Sequence, residues 1–346
     1  MSKFKYKNIL LTGAAGALGE QLRETLSQKC NLLRISDKTN LDKKFDNEEI
    51  KQADLSSAEA ILNLTNDIDC VVHMGGQSIE GSWDNVLNSN IIGMYNLYEG
   101  CRKNNVKRVI WASSVHTVGF YPRSEVIDNK VMPRPDSNYG LSKVFGESLA
   151  QYYWDKYKLE TVSIRIYSCV AEPKDHRMLS TWLSYNDLRS LVISCMNTSN
   201  VKHSIIFGVS NNNSILIDNK YSKHIGYNPK DNGEEYRKII EENDGFIDSK
   251  DPLVTTHGGY FASAGKAANQ VRKQIQKYAG TASAAKELEK SVEEKAASLQ
   301  MTRREFNSLL ATGGIIGLVK ALGLDTLFPA AKQIAKQAAP EIVTKG

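Results

Sequence analysis

Short apolar runs alternate with longer amphipathic stretches through the first two hundred residues. Asn8-Ile9-Leu10-Leu11-Thr12, Leu32-Leu33-Arg34-Ile35-Ser36 and Cys70-Val71-Val72-His73-Met74 are the first three such runs. Arg108-Val109-Ile110-Trp111-Ala112, Val162-Ser163-Ile164-Arg165-Ile166 and His203-Ser204-Ile205-Ile206-Phe207 are the next three. Runs this short, apolar and rich in β-branched residues read as buried strands. The stretch from Leu18 to Gln28 and those near 84–104, 137–157 and 180–196 carry the pattern of helices. Alternation of strand and helix predicts an α/β fold, a doubly wound parallel sheet with right-handed crossovers. Ligands of such a sheet lie beyond the carboxyl ends of the strands, where the strand order reverses.

The pattern changes near Ala262. From Ser263 the chain is rich in Ala, Lys, Glu and Gln, and it carries 13 Lys and Arg against 7 Asp and Glu. Residues 1–262 hold 31 against 32, so the overall net charge of +5 belongs to the tail. The body is close to neutral, which gives no support to nucleic-acid binding. Met301-Thr302-Arg303-Arg304-Glu305-Phe306 opens an apolar segment that looks like a twin-arginine export signal, but far from the N-terminus. Three readings of 263–346 stand side by side: an amphipathic helix docked on the body or a partner, a membrane-surface anchor, or a sequence fused from a neighbouring exported protein. The third, or a poorly ordered tail, is favoured, since the apolar run stops at Lys320, short of the roughly 20 residues a spanning helix needs. The five cysteines are scattered and form no CxxC pair, so neither a metal site nor a disulfide framework is expected. A polar Met1–Tyr6 leading straight into a strand predicts no signal peptide and a reducing, cytoplasmic setting.

Candidate chemistry begins at Thr12-Gly13-Ala14-Ala15-Gly16-Ala17-Leu18-Gly19, between the first strand and the first helix. Glycines there allow positive φ and close approach of backbone to a pyrophosphate, which the helix N-terminus attracts. The turn identifies a Rossmann-type dinucleotide site with Gly13, Gly16, Ala17, Leu18 and Gly19 at the phosphates. Asp37 ends the second strand, where a carboxylate can accept from both adenine-ribose hydroxyls and repel a 2′-phosphate; NAD is favoured over NADP. A plain turn or cap role is the alternative for Asp37. Asp54 and Leu55 are placed at the adenine, and Gly75-Gly76 lets the chain pass close to the cofactor.

Tyr139 and Lys143 stand four residues apart, on one helix face. An ammonium beside a phenol favours the phenolate and lowers its pKa. With the glycine turn and Ser114 after the fourth apolar run, the pair resembles the extended short-chain dehydrogenase/reductase family. Gly75-Gly76-Gln77-Ser78, Ala112-Ser113-Ser114-Val115-His116, Arg134-Pro135-Asp136, Phe145-Gly146-Glu147, Arg165-Ile166-Tyr167-Ser168-Cys169 and Arg177-Met178-Leu179-Ser180-Thr181-Trp182 are similar to the branch of it that oxidises hexuronic acids. The resemblance spans residues 7 to 261 and none of the tail. It implies a body with a small substrate lobe, mainly 168–200 and 210–262, likeness to homo-oligomeric enzymes, and oxidation at C1 of a cyclic hexuronate to an aldarolactone with NAD. It implies Tyr139 as acid/base, Lys143 as its cation and a nicotinamide-ribose ligand, and Ser114 on the reacting oxygen. Asn90 and Cys169 join the cofactor set, and Ser78, His116, Ser168 and Arg177 join the substrate set, Arg177 facing the sugar carboxylate.

Blander readings stand beside these. His116 also fits a core histidine, Cys169 fits packing better than chemistry, Arg177 fits a surface ion pair, and Trp154 and Trp182 fit core or interface aromatics. Two positions depart from the family: Val115 where asparagine is usual and Tyr167 where glycine is common, so a substrate hydrogen bond is expected to be missing and the pocket narrower. A nucleotide-sugar epimerase or dehydratase, and a non-catalytic dinucleotide sensor, are the rival functions.

Overall fold

In the computed structural model, residues 5–244, 252–259 and 261–262 are described. The chain divides into two units, Met1–Ala262 and Ser263–Gly346, and every element named here belongs to the first. The readings made for 263–346 lie outside the described residues. Among those described, no helix is long and apolar enough to cross a membrane.

The elements run β1 (Asn8–Thr12), α1 (Ala17–Ser27), β2 (Leu32–Ser36), β3 (Glu48–Ile50), α2 (Ala58–Leu64), β4 (Cys70–His73), α3 (Trp83–Val86), α4 (Gly93–Lys103) and β5 (Arg108–Ser114). Next come β6 (Ile127–Asp128), α5 (Asn138–Tyr157), β7 (Glu160–Ile166), β8 (Ser168–Cys169), α6 (Met178–Thr181), β9 (Trp182–Leu183) and α7 (Tyr185–Asn197). The described chain closes with β10 (His203–Gly208), β11 (Ile217–Asp218), α8 (Arg237–Asp244) and α9 (Pro252–Thr255). Seven strands form one parallel sheet in the order β10-β7-β5-β4-β1-β2-β3. The order reverses between β1 and β4, with Thr12 level with His73, and that is where such a sheet opens a crevice.

Strand alternation builds two cores. Ile9 and Leu11, Cys70 and Val72, Ile110, Val162 and Ile164 meet α1 and α7 on one face. Leu10, Val71, Val109 and Trp111 meet α2, α4 and α5 on the other. Buried cations are all engaged. Arg108 bonds Glu160 and the carbonyls of Cys195, Met196 and Thr198, closing the C-terminus of α7. Arg165 clamps the Glu147 carboxylate through Nε and Nη2 at 2.9 and 2.8 Å, and Ser113 donates to the same carboxylate at 2.7 Å. The outer strand β10 is blunted by side chains: Asn219 accepts from Phe207 N and donates to Phe207 O, and Asn129 donates to Ile205 O. These amides occupy the groups through which an edge recruits another strand.

The helix expected near 84–104 runs without interruption from Trp83 to Lys103, with a π-turn over Leu87–Ile92 inside it. Other expectations change. The helix near 180–196 is split at Trp182-Leu183, which pairs in parallel with Ser168-Cys169, and Ser184 caps the new start by accepting from Asp187 N. β3 went unread because Glu48 stands at its core; Arg23 neutralises that carboxylate through two bonds of 2.8 Å. α7, assigned to the substrate lobe from sequence, instead supplies Leu188, Leu191, Val192, Cys195 and Met196 to the sheet core. Two small parallel pairs, β6 with β11 and β8 with β9, lie outside the seven-stranded sheet.

Removing the charge of Glu147 leaves Arg165 buried beside a neutral amide. Glu147→Gln is expected to lower the unfolding free energy by about 3–5 kcal/mol, read from urea unfolding curves of the two proteins.

Candidate active site

The crevice between β1 and β4 has no room for side chains. Gly13 has φ +70°, and a Cβ on it would lie 2.5 Å from Gly75 N. A Cβ on Gly19 would lie 2.0 Å from Gly13 O, so the first turn of α1 is drawn onto the loop. Gly16 precedes α1 and offers no side-chain cap, so the helix N–H groups there are left for an anion, with Ala17 and Leu18 in the opening turn. Below the crevice, Thr12 Oγ1 meets His73 Nδ1 at 2.6 Å, and burial pushes His73 down to about 3, so its ring is neutral. These features fit a dinucleotide pyrophosphate.

Asp37 is half-buried at the end of β2. Its Oδ2 accepts from Ala15 N at 3.1 Å and its Oδ1 from Thr39, so the carboxylate also braces the glycine turn. Asp54 accepts from Ser56 N and Oγ, which hold its carboxyl low, and this sets the turn that presents Leu55. Leu55 packs against Gly75 and Gly93, where an added Cβ would sit 3.4 Å from Leu55 Cδ1 and 2.7 Å from Leu55 Cβ respectively. Asn90, in the π-turn, is spent on the chain: it accepts from Gln77 N, donates to Gln77 O and donates to Ser142 Oγ at 3.0 Å. It ties the loop after β4 to α5. Extra turns of this kind recur at functional sites.

α5 begins at Ser137, whose hydroxyl accepts from Gly140 N. Glu80, from the loop after β4, accepts from Asn138 N and Tyr139 N at 3.3 and 2.9 Å, an anion on a helix N-terminus. No pattern in the sequence marked Glu80. Ser78, two residues before it, is exposed. Tyr139 and Lys143 are both buried. The Lys143 ammonium donates to Ala112 O at 2.8 Å and lies 5.3 Å from the Trp111 ring and 5.5 Å from the Tyr139 ring. It also helps to keep His73 neutral, so α5 stands beside the crevice.

The expected acidification of Tyr139 is corrected here. Burial pushes the phenol up to about 12, the Ser114 hydroxyl beside it lowers it, and Asp136 raises it again. Lys143 does not reverse the effect, because its ammonium is turned to the Ala112 carbonyl and is itself depressed to about 8 by burial. Ser114 ends β5, caps the short 3-10 turn over Val115–Val118 and accepts from His116 N.

Arg177, His116 and Tyr139 meet a strap, residues 254–259 with 261–262. Arg177 is buried; its Nη1 donates to Ser168 Oγ at 3.0 Å and its Nη2 to His257 O at 2.6 Å, while its Nε has no hydrogen-bond partner among the described residues. Ser168 also pairs with Thr181 Oγ1. The surface ion-pair reading of Arg177 does not hold. Arg123, unremarked in the sequence, is half-buried nearby and donates to Ser180 Oγ; loss of solvent and the Arg177 charge lower it to about 10. Burial lifts the Cys169 thiol to about 12, and the residue packs on the core, so it is no nucleophile. Trp182 donates to Val170 O and meets the Tyr236 ring edge-on.

His116 is no core histidine: it is half-buried, with Nδ1 2.8 Å from Asp136 Oδ2 and its ring stacked 3.9 Å from that of Phe261. Val115 and Tyr167, the two departures from the family, belong to one apolar cluster with Val118, Ile127 and Phe207. The Tyr167 hydroxyl meets His257 Nδ1 at 2.7 Å. Tyr167 therefore seats the strap, and Val115 packs in the same cluster.

Residues 9–193 match the NAD dependent epimerase/dehydratase family. The chain is 42% identical over 261 residues to the uronate dehydrogenase of Pseudomonas syringae pv. tomato, covering 75% of this chain and 94% of that one. It is 43% identical over 266 residues to the uronate dehydrogenase of Pseudomonas putida, covering 77% and 99%. A solved structure of the Agrobacterium tumefaciens uronate dehydrogenase, a tyrosine-to-alanine mutant complexed with NAD, superposes with TM-score 0.73 at 42% identity, covering 74% and 97%.

The depressed Lys143 makes stability depend on pH. The unfolded lysine holds its proton up to about 10.4 and the folded one only up to about 8, so the unfolded state binds more protons in between. Stability without cofactor is expected to rise from pH 8 to pH 10 through this group. Lys143→Met should be more stable than the parent at pH 7 and lack that rise, as thermal unfolding across pH would record.

Proposed function

Because the chain belongs to the uronate dehydrogenases of the NAD dependent epimerase/dehydratase family, we propose that its proton path runs through Tyr139, Ser114 and Lys143. The reaction is oxidation of a uronate with NAD, at C1 of the cyclic form, giving the aldarolactone. Tyr139 accepts the proton of the anomeric hydroxyl, and Ser114 hydrogen-bonds the same oxygen. NAD, when bound, supplies the acceptor for the hydride from C1 and a positive charge beside the phenol. Lys143 adds its own charge once a ribose hydroxyl competes with Ala112 O for it, and together these cations oppose the burial that holds the phenol near 12.

The observation that carries this reading is the convergence of three groups. Tyr139 and Ser114 meet at the carboxyl end of β5, and the Lys143 charge acts on the buried His73 at the floor of the β1–β4 crevice. Gly13, Gly16, Ala17, Leu18, Gly19 and Gly75 would hold the pyrophosphate side, Asp37 the adenine ribose, and Asp54 with Leu55 the adenine. Asn90 acts through the loop it ties down, and Cys169 lies on the nicotinamide side as packing. Arg177 supports a carboxylate-binding role: it is a buried cation with an unsatisfied Nε, and it pairs with none of the described acids. Ser78, His116 and Ser168 complete the lining for hydroxyls.

We extend the reading to setting and assembly. Five free cysteines, four of them buried, suit a reducing cytoplasm. The α4–α5 face, where Tyr95, Tyr152 and Tyr157 are exposed, suits a second copy of the chain.

With galacturonate or glucuronate and NAD, NADH absorbance is expected to accumulate. Tyr139→Phe should lower kcat by about 10²–10⁴ while calorimetry shows NAD binding close to the parent's. Turnover at the parent rate in that variant would refute the assignment.

A further inference from the structure

The sequence pattern Arg134-Pro135-Asp136 found no role in the chemistry above, yet it holds a carboxylate unlike any other in the fold. The Asp136 side chain is wholly buried. A Cβ on Gly119 would fall 1.8 Å from its Oδ2, and one on Gly258 would fall 1.7 Å from the same atom. The carboxylate thus lies between two glycines that hydrogen-bond each other, Gly258 N donating to Gly119 O at 2.9 Å. Its Oδ1 accepts from Ser137 Oγ at 2.9 Å, and its Oδ2 lies 2.8 Å from His116 Nδ1. Both glycines must be side-chain-free for that second contact to form.

An ionised carboxylate only accepts hydrogen bonds, so the group facing it must be an N–H. The imidazole then carries its proton on Nδ1. In the neutral ring, Nε2 is left with a lone pair. Ring packing fixes where that lone pair goes: His116 is stacked 3.9 Å from Phe261 and stands edge-on, 5.6 Å from the Tyr139 ring. No described residue occupies Nε2.

We propose that Asp136 is a positioning residue that holds His116 as the Nδ1–H tautomer, so that Nε2 accepts a hydrogen bond from a substrate hydroxyl. This rests on the reading of Tyr139 as the group at the anomeric oxygen. Given that reading, the hydroxyl closest to a ring beside Tyr139 is the one on C2, next to the reacting carbon. Nε2 thereby selects sugar acids that carry a hydroxyl donor at C2. The same Asp136 oxygen lies close against the Gly258 backbone.

The tautomer is measurable without turnover. Nitrogen-15 NMR of the histidine-labelled wild-type enzyme, followed across pH, should show the neutral His116 ring protonated at Nδ1 and bare at Nε2; a ring that carries its proton on Nε2, or that stays doubly protonated over the whole range in which the enzyme turns over, overturns the proposal even if the enzyme oxidises uronates as described. Kinetics supply the second arm. The ratio of kcat/KM for a uronate to that for its 2-deoxy form should fall about tenfold in Asp136→Leu, and equally in His116→Ala, the order set by one hydrogen bond. Asp136→Asn, whose amide oxygen still accepts from Nδ1–H, should restore most of the ratio. An unchanged ratio in folded Asp136→Leu contradicts the proposal. Should that variant fail to fold, the NMR result on the wild type decides alone. Loss of turnover on every sugar acid, with the Nδ1–H tautomer present, would instead count against the uronate reading.

Discussion

The molecule turns on one close approach: the backbone of the first glycine turn against the backbone that leaves β4. A Cβ on Gly13 would lie 2.5 Å from Gly75 N, a distance real atoms do not keep. This contact puts the two halves of the sheet back to back where the strand order reverses, and it leaves a channel walled by main chain. His73 fills the floor as a neutral ring, because burial and the Lys143 charge both oppose its protonation. Lys143 in turn ties α5, and so Tyr139, to the edge of that channel. The glycine turn and the Tyr139–Lys143 helix are therefore one construction.

Burial at the site works against the chemistry in one respect and for it in another. It lifts the Tyr139 phenol to about 12 and depresses Lys143 to about 8, so burial opposes the charged form of both groups. A pair tuned this way gains its charge separation from what binds beside it. The same burial makes Arg177 a costly cation, with one N–H unpaired among the described residues.

Much of this was legible in the sequence. Six of the seven sheet strands stood out as apolar runs, and the glycine turn and the Tyr139–Lys143 spacing marked the two ends of the site. β3 was hidden because its buried Glu48 needs Arg23, a pairing that no local pattern carries. The break at Trp182 was hidden because it depends on a partner strand at Ser168-Cys169. Glu80, Arg123, Asp136 and Phe261 reach the site only through tertiary contact. The tyrosine's acidity was misjudged for a related reason: spacing along a helix places a lysine near a phenol but does not say that Ala112 O claims its ammonium. Val115 and Tyr167 looked like independent losses, whereas they pack in one cluster under the strap.

The most direct test of a proton taken by Tyr139 while hydride leaves C1 uses glucuronate deuterated at C1, with NAD and the wild-type enzyme. The account predicts one deuterium in each reduced nicotinamide formed, one aldarolactone for each, and a slower rate than with the protio sugar when chemistry limits turnover. Unreduced NAD, with the label recovered in an epimerised or unchanged sugar, would contradict it.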